Sequence, residues 1–312
     1  LAAQRATTGL YAAEIGTDLS IEEYDVLIIS NPWLVDFEHR LPARRVVGML
    51  YDLVPNLYSL TSTRKPFAFA GEHQRGLSYY RDLCDSVLAI SPAVADDATR
   101  YFHIEPERTG ILPPPLRMSN FDHKQATSPR AQNVILAAPF DPRKGLADMP
   151  AILNGAAEAI ETLSIYGGVR CSKPEVIHFF ESLKIKHVEW RPAATSHAVS
   201  EMFHSAKVLL FPSLNEGLGL PILEAQVCGC RVITRNRAPM NTLLLEGSHL
   251  LIDSGPEDSM ALGHMLTDSF DHDHLRASAR EYFAPAELRH NIEEMLCSDQ
   301  TSSSSASLAK VA

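Results

Sequence analysis

The sequence predicts an α/β protein built from two Rossmann-like, doubly wound domains facing a cleft, the first of them incomplete. Three observations carry this expectation. The chain has 312 residues, about twice the ~150 that one domain core usually takes. Short apolar, β-rich runs alternate with longer amphipathic stretches, as in parallel strands joined by helical crossovers. The alternation breaks once, at Pro113-Pro114-Pro115 and the polar, aperiodic residues that follow.

In the first part, Tyr24–Ser30, Val46–Tyr51, Ser86–Ser91 and Thr109–Leu112 are apolar nearly throughout and read as buried parallel strands. Phe67–Leu83 and Pro92–Phe102 read as helices, with Ser91 placed to cap the second and Pro92 at its first position. The second part carries expected strands at Asn133–Ala138, Thr162–Tyr166, His187–Trp190, Lys207–Phe211, Arg231–Thr234 and His249–Ile252. Helices are expected between them, near 145–159, 173–184, 195–205, 220–228 and 256–268, with more at 272–282 and 285–296. Six βα repeats make a whole doubly wound domain, whereas four strands do not. The expected division is a partial N-terminal domain over 1–115, a linker over 116–131, a C-terminal domain over 132–298 and a disordered Ser-rich tail over 299–312. The chain opens at Leu1 rather than Met, so the beginning of the first domain is expected to lie outside this sequence.

Composition narrows the function classes. With 45% hydrophobic and 21% charged residues the chain is neither collagen-like nor wholly disordered. No apolar run approaches the roughly 20 residues that span a bilayer. The net charge is −10, with excess acid in both parts, so the positive footprint that nucleic acid demands is lacking. Five scattered cysteines are read as reduced thiols, and Cys228-Gly229-Cys230 lacks the spacing of a metal or redox pair. Asp271-His272-Asp273 opens a late polar helix and reads as solvated surface, and the 13 histidines show no metal spacing.

The densest chemical signal is Phe211-Pro212-Ser213-Leu214-Asn215-Glu216-Gly217-Leu218-Gly219-Leu220-Pro221-Ile222-Leu223-Glu224-Ala225. A buried strand ends at Phe211, at the sheet edge where ligands bind. Gly217 and Gly219 let a ligand approach the backbone closely. Leu220 and Pro221 open a helix whose free N–H groups and positive dipole end suit an anion such as a diphosphate. Glu216 in the loop and Glu224 in the helix lie eight positions apart. One carboxylate can accept from both hydroxyls of a vicinal diol such as a ribose, leaving the other for a sugar near the reacting carbon.

This segment resembles the E-x7-E signature of retaining glycosyltransferases of family 4, whose fold is called GT-B. Glu224–Ile233 (EAQVCGCRVI) looks like that family's EAMACGTPVV stretch, and Asp141-Pro142-Arg143-Lys144-Gly145 resembles its D-P-R-K-G/N run. Asp85–Ser91 and Tyr51–Pro55 look like first-domain motifs of a subgroup that includes mannosyltransferases of polysaccharide assembly. The resemblance implies transfer of a hexose from a GDP- or UDP-linked donor to a saccharide or lipid-linked acceptor, with retention and without a metal. Mannose is the first sugar it suggests. It implies Glu216 at the transferred sugar and Lys144 neutralising the diphosphate leaving group, both catalytic. Glu224, Gly217, Gly219, Leu220, Pro221, Arg143 and Asp52 would bind the donor. It further implies a cytoplasmic enzyme, with peripheral contact at the inner face of the membrane as an alternative setting.

The sequence also departs from the pattern. Ala138-Pro139 stands where relatives often have Gly-Arg, Tyr51 where many have His, and Arg231 where Pro is usual. These departures, with the incomplete first domain, motivate a rival reading as a nucleotide-sugar-binding protein without transferase activity. An NAD(P)-dependent dehydrogenase shares the βα alternation but needs a glycine fingerprint that Gly167-Gly168 does not complete.

Overall fold

The computed structural model describes residues 24–35, 39–61, 69–121, 130–252 and 255–283. The helix expected over 285–296 and the tail over 299–312 lie outside these. The chain divides into two compact units between Pro113 and Pro114.

The first unit is a four-stranded sheet of β1 (Tyr24–Ile29), β2 (Ala43–Leu50), β3 (Ser86–Ala89) and β4 (Thr109–Ile111), parallel and in that spatial order. A chain that adds each strand on the same side never reverses, so this sheet has no switch point among the described residues. Its helices are α1 (Val54–Thr61), α2 (Ala70–Leu83) and α3 (Pro92–Phe102). For α3 the expected cap is present: the Ser91 hydroxyl accepts from the Val94 N–H at 3.2 Å, and Pro92 occupies the first turn. Helix α2, Ala70–Leu83, falls within the predicted 67–83 span and ends where expected; residues 67 and 68 lie outside the described ones. Helix α1 was not expected. Pro55 is tolerated because it falls in the first turn, where its missing N–H has no partner to lose.

The second unit holds β5 (Ala131–Ala137), β6 (Thr162–Tyr166), β7 (Val188–Arg191), β8 (Ala206–Phe211), β9 (Arg231–Arg235) and β10 (His249–Leu251). All are parallel, in the order β10-β9-β8-β5-β6-β7. The chain starts at β5, winds outward through β6 and β7, then returns to lay β8, β9 and β10 on the other side. The reversal point lies between β5 and β8, where Val134 pairs with Val208 and Leu136 with Leu210. Helices α4 (Met149–Gly155), α5 (Lys173–Ser182), α6 (Ser196–Ser205), α7 (Leu220–Val227), α8 (Pro256–Thr267) and α9 (His272–Tyr282) complete the unit. The core joins Leu136, Ile165 and Leu210 of the sheet to Ile152 and Leu262 of the helices, all fully buried. Helix α4 is shorter than the predicted 145–159, because the chain makes a tight turn over 142–148 before it can enter the helix.

Residues 118–121, expected within the linker, are tied to the second unit. The Phe121 carbonyl accepts from the Arg280 guanidinium at 2.6 Å and sits 3.0 Å from His204 Nε2. Asp271 caps α9 by accepting from the N–H groups of Asp273 and His274, and Asp273 pairs with Arg276 at 3.0 Å. Cys84, Cys171, Cys228 and Cys230 are all free thiols. Among the described residues no helix is long and apolar enough to cross a membrane.

Arg231, the departure at the start of β9, has a structural explanation. Its side chain is only 3% exposed, forks onto both oxygens of Asp268 and stacks 4.3 Å over the Phe270 ring. Burial pushes the Asp268 carboxyl up, but the Arg231 hydrogen bonds together with the charges of Arg231, His264 and Lys207 outweigh it and hold the group below its ordinary value. Stability from this pair is therefore present above the unfolded carboxylate pKa and lost as pH falls through the folded one. Arg231→Ala is expected to destabilise the second unit by about 3 kcal/mol, since Asp268 loses both guanidinium contacts and keeps only the more distant His264, at 3.6 Å. Urea denaturation measures this, and a loss under about 1 kcal/mol would show the pair to be idle.

Candidate functional site

In a doubly wound sheet, ligands lie beyond the carboxyl ends of the strands where the winding reverses. Here that position is bounded by the loop after β5 (residues 138–148) and the loop after β8 (residues 212–219).

The β5 loop begins with Ala138 at φ 46°, a left-handed conformation that favours glycine. Asp141 then organises a single 3₁₀ turn, Pro142–Lys144. Its carboxylate accepts from the Arg143 backbone N–H at 3.1 Å and pairs with Arg143 Nε at 3.0 Å. The chain leaves this turn through Gly145 at φ 74°, where an added Cβ would overlap the Pro212 carbonyl oxygen. Only glycine lets the two loops come this close.

Two links hold the β8 loop against that turn. The Leu214 N–H donates to the Arg143 carbonyl at 2.7 Å, and the Ser213 hydroxyl lies 3.2 Å from the same oxygen. Between the loops, Lys144 Nζ pairs directly with Glu216 Oε1, and both side chains are only 10% exposed. Ser213 Oγ donates to the same Glu216 oxygen at 2.6 Å, while Arg143 reaches the other at 3.5 Å. The Lys144 ammonium also lies 4.7 Å from the centroid of the Phe211 ring. Burial pushes the Lys144 pKa down, and Glu216 opposes that shift only in part.

Helix α7 starts at Leu220. Gly219 is its N-cap at φ 102°, and no side chain caps its first turn. Gly217 and Gly219 are buried, Leu220 is exposed, and Pro221 stands in the first turn. Glu224, one turn in, is half-buried and has no hydrogen-bond or ion-pair partner among the described residues. Burial alone pushes its carboxyl above the ordinary value. Its charge also reaches the phenol of Tyr166, which lies at the carboxyl end of β6 and is raised chiefly by its own burial. An unpartnered, part-desolvated carboxylate beside an uncapped helix start is a poor arrangement for an empty protein. It is a good one for a ligand that brings hydroxyl donors and negative charge.

The structure thus brings Lys144, Arg143 and Glu216 into one charged cluster and places Gly217, Gly219, Leu220, Pro221 and Glu224 along the adjoining loop and helix. Asp52 lies in the first unit, where its carboxylate accepts from the Val54 N–H at 3.0 Å at the start of α1. Sequence reasoning missed Asp141 and Ser213. Asp-Pro before a basic pair is a turn signal that could have marked Asp141, whereas a serine in a polar loop carries none.

The comparison with known proteins follows this geometry. Residues 163–283 match the family described as glycosyl transferases group 1. The matched segment lies in the second unit and includes Glu216, Glu224 and helix α7. A D-inositol 3-phosphate glycosyltransferase of Jonesia denitrificans is 25% identical over 236 residues, 68% of this chain and 55% of that protein. Its counterpart in Paenarthrobacter aurescens is 25% identical over 182 residues, 54% and 45% respectively. The chain thus spans about half the length of these curated relatives. Among solved structures, a TarM variant from S. aureus, in complex with Fondaparinux, alpha-GlcNAc-glycerol and UDP, superposes with a TM-score of 0.69 at 13% identity. That match covers 88% of this chain and 55% of TarM. Anabaena HepE, in complex with UDP and glucose, gives 0.65 at 16% identity, covering 81% and 71%. These likenesses are of fold, and the fold class is GT-B, with two Rossmann-like α/β units.

Proposed function

We propose that this chain is a glycosyltransferase that moves a hexose from a nucleoside diphosphate to an acceptor hydroxyl, with retention at the anomeric carbon. The observation that carries this reading is Glu224: a carboxylate without a partner among the described residues, beside a glycine-capped helix start, at the reversal point of a doubly wound sheet. Its two oxygens suit the vicinal hydroxyls of a ribose. The N-terminus of α7 and the Lys144 ammonium would face the diphosphate. Charge grows there as the bond from the anomeric carbon breaks with its electron pair leaving on the phosphate oxygen. The acceptor oxygen takes the carbon and gives up its proton. When a diphosphate shares Lys144, the Glu216 carboxylate is released in part from its ion pair and can accept from hydroxyls of the transferred sugar. The positive charge supplied by Lys144 and α7 makes a metal unnecessary in this reading.

Uridine is the favoured base because both structural neighbours described above were solved with UDP; guanosine, with mannose as the sugar, is the alternative. The acceptor is a saccharide, a lipid-linked sugar or a polyol such as the inositol phosphate named for the relatives. The same reading places the enzyme in the cytoplasm, reaching a lipid-linked acceptor at the inner face of the membrane. Calorimetry with UDP, GDP and UMP tests the donor site. Saturable binding of one diphosphate is expected, with affinity lost in Glu224→Ala, and the reading is overturned if neither diphosphate binds. Incubation with UDP-glucose, UDP-GlcNAc or GDP-mannose and an acceptor panel then tests transfer. Tight binding with no product from any pair would favour a nucleotide-sugar-binding protein instead.

A further inference from the structure

Lys144 and Glu216 meet across two loops separated by 72 positions in sequence, so their geometry depends on whatever fastens those loops together. On one side the fastening is visible in the Arg143 carbonyl, which accepts from the Leu214 N–H at 2.7 Å. On the other side stands Arg235, the last residue of β9. The pairing of Phe211 with Thr234 brings the end of β9 level with Pro212, the first residue of the β8 loop. Arg235 Nε donates to the Pro212 carbonyl at 2.9 Å, and its terminal amino group forms an ion pair with Asp148 at the end of the β5 loop. A Cβ built on Gly145 would lie 3.4 Å from that amino group, so the guanidinium packs against the backbone next to Lys144. The Arg235 side chain is 24% exposed and its planar fork addresses two loops at once, which an ammonium cannot do.

We propose that Arg235 is a positioning residue of the donor site, clamping the β5 and β8 loops so that Lys144 and Glu216 stay in register. This rests on the donor-site reading above and adds a residue to it. A clamp of this kind acts through Lys144 rather than on the ligand. Its removal lets the loops drift apart, and displacements near 1 Å at such sites reduce function by up to about 100-fold.

The test is a set of variants of the full chain, each checked for folding by circular dichroism. Arg235→Ala is expected to weaken UDP binding about tenfold in the wild-type background, and to weaken it no further when Lys144 is already alanine. An equal loss in both backgrounds would show that Arg235 contacts the nucleotide directly, and would overturn the positioning role. Arg235→Lys, which keeps the charge but can serve only one loop, should recover part of the loss. Asp148→Asn, which leaves the Pro212 hydrogen bond in place, should lose less than Arg235→Ala. The alkaline limit of UDP binding should also move upward in Arg235→Ala, because a loosened site rehydrates the Lys144 ammonium. If the wild type binds neither UDP nor GDP, the donor reading fails. The clamp is then judged by thermal unfolding of Arg235→Ala combined with Glu216→Ala. Losses in melting temperature that fall short of additivity support the clamp, and strictly additive ones sink it.

Discussion

Lys144→Ala is expected to destabilise the second unit by about 3 to 5 kcal/mol, the range seen when one partner of a buried ion pair is removed. The reason lies in what is left behind. Glu216 stays 10% exposed with Ser213 Oγ at 2.6 Å, and its remaining cation, Arg143, is 3.5 Å away and already committed to Asp141. Removing both charges should hurt less. The Lys144→Ala/Glu216→Ala double variant is expected to recover a large part of the loss, because no charge then stays buried without a partner. Urea denaturation of the four proteins closes the cycle. If the double variant lost the full sum of the two singles, the pair would be uncoupled and the cluster misread. In function the effect should be of similar size: transfer by Lys144→Ala should fall by about 10²–10³, as for removal of a preorganised group that stabilises developing charge.

Glu224→Gln is expected to separate stability from function in opposite directions. The carboxyl sits above its ordinary value because burial disfavours the charge and nothing among the described residues compensates. The folded state therefore holds its proton over a pH window in which the unfolded chain has lost it. Stability contributed by this group is present below the unfolded pKa and lost as pH rises through the raised folded value. The glutamine variant lacks that loss. It should melt above the wild type near neutral pH, with the difference fading as pH is lowered toward 4.5. UDP binding should weaken by roughly 10- to 100-fold, the value of hydrogen bonds to a charged acceptor. Wild-type affinity should also fall on acidification, as the carboxylate takes up a proton and ceases to accept, while the variant's affinity stays level. A variant no more stable than wild type at pH 7, with unchanged UDP affinity, would remove Glu224 from the site.

A destabilising carboxylate held at a sheet edge is an arrangement that selection for folding alone would remove, which ties these two expectations together. In the Lys144–Glu216 cluster the charges satisfy each other until a ligand intervenes. At Glu224 no group among the described residues does so. The site therefore combines a fixed, self-neutralised pair with one carboxylate that those residues leave unpaired.

Much of the site was legible because its chemistry is concentrated in continuous stretches. Pro212–Ala225 presents the end of a strand, two glycines, a helix start and two carboxylates in order, and each has a local physical meaning. The Asp-Pro-Arg-Lys-Gly turn is local in the same way, since an Asx-stabilised turn followed by a left-handed glycine needs no distant partner. Ser91 and Pro92 at the start of α3 are a third case. What sequence did not expose were contacts made at a distance. Helix α1 was missed because Pro55 signals a break unless its place in a first turn is known. Arg231 read as a departure until Asp268 and Phe270 were seen around it. Arg235, just past the strand expected over Arg231–Thr234, drew no reading, and residues 118–121 read as linker until the Phe121 carbonyl was found between His204 and Arg280.

The sequence by itself determined the alternation of strands and helices, the break at the three prolines, and the loop and helix that carry Glu216 and Glu224. Hydrophobic periodicity, turn chemistry and capping act over a few residues and are written in order along the chain. Tertiary structure alone decided that β8 returns to lie beside β5. That choice depends on how whole βα units pack on a twisted sheet, and no local propensity encodes it. From that one adjacency follow the meeting of Lys144 with Glu216, the close pass of Gly145 over Pro212 and the grip of Arg235 on both loops.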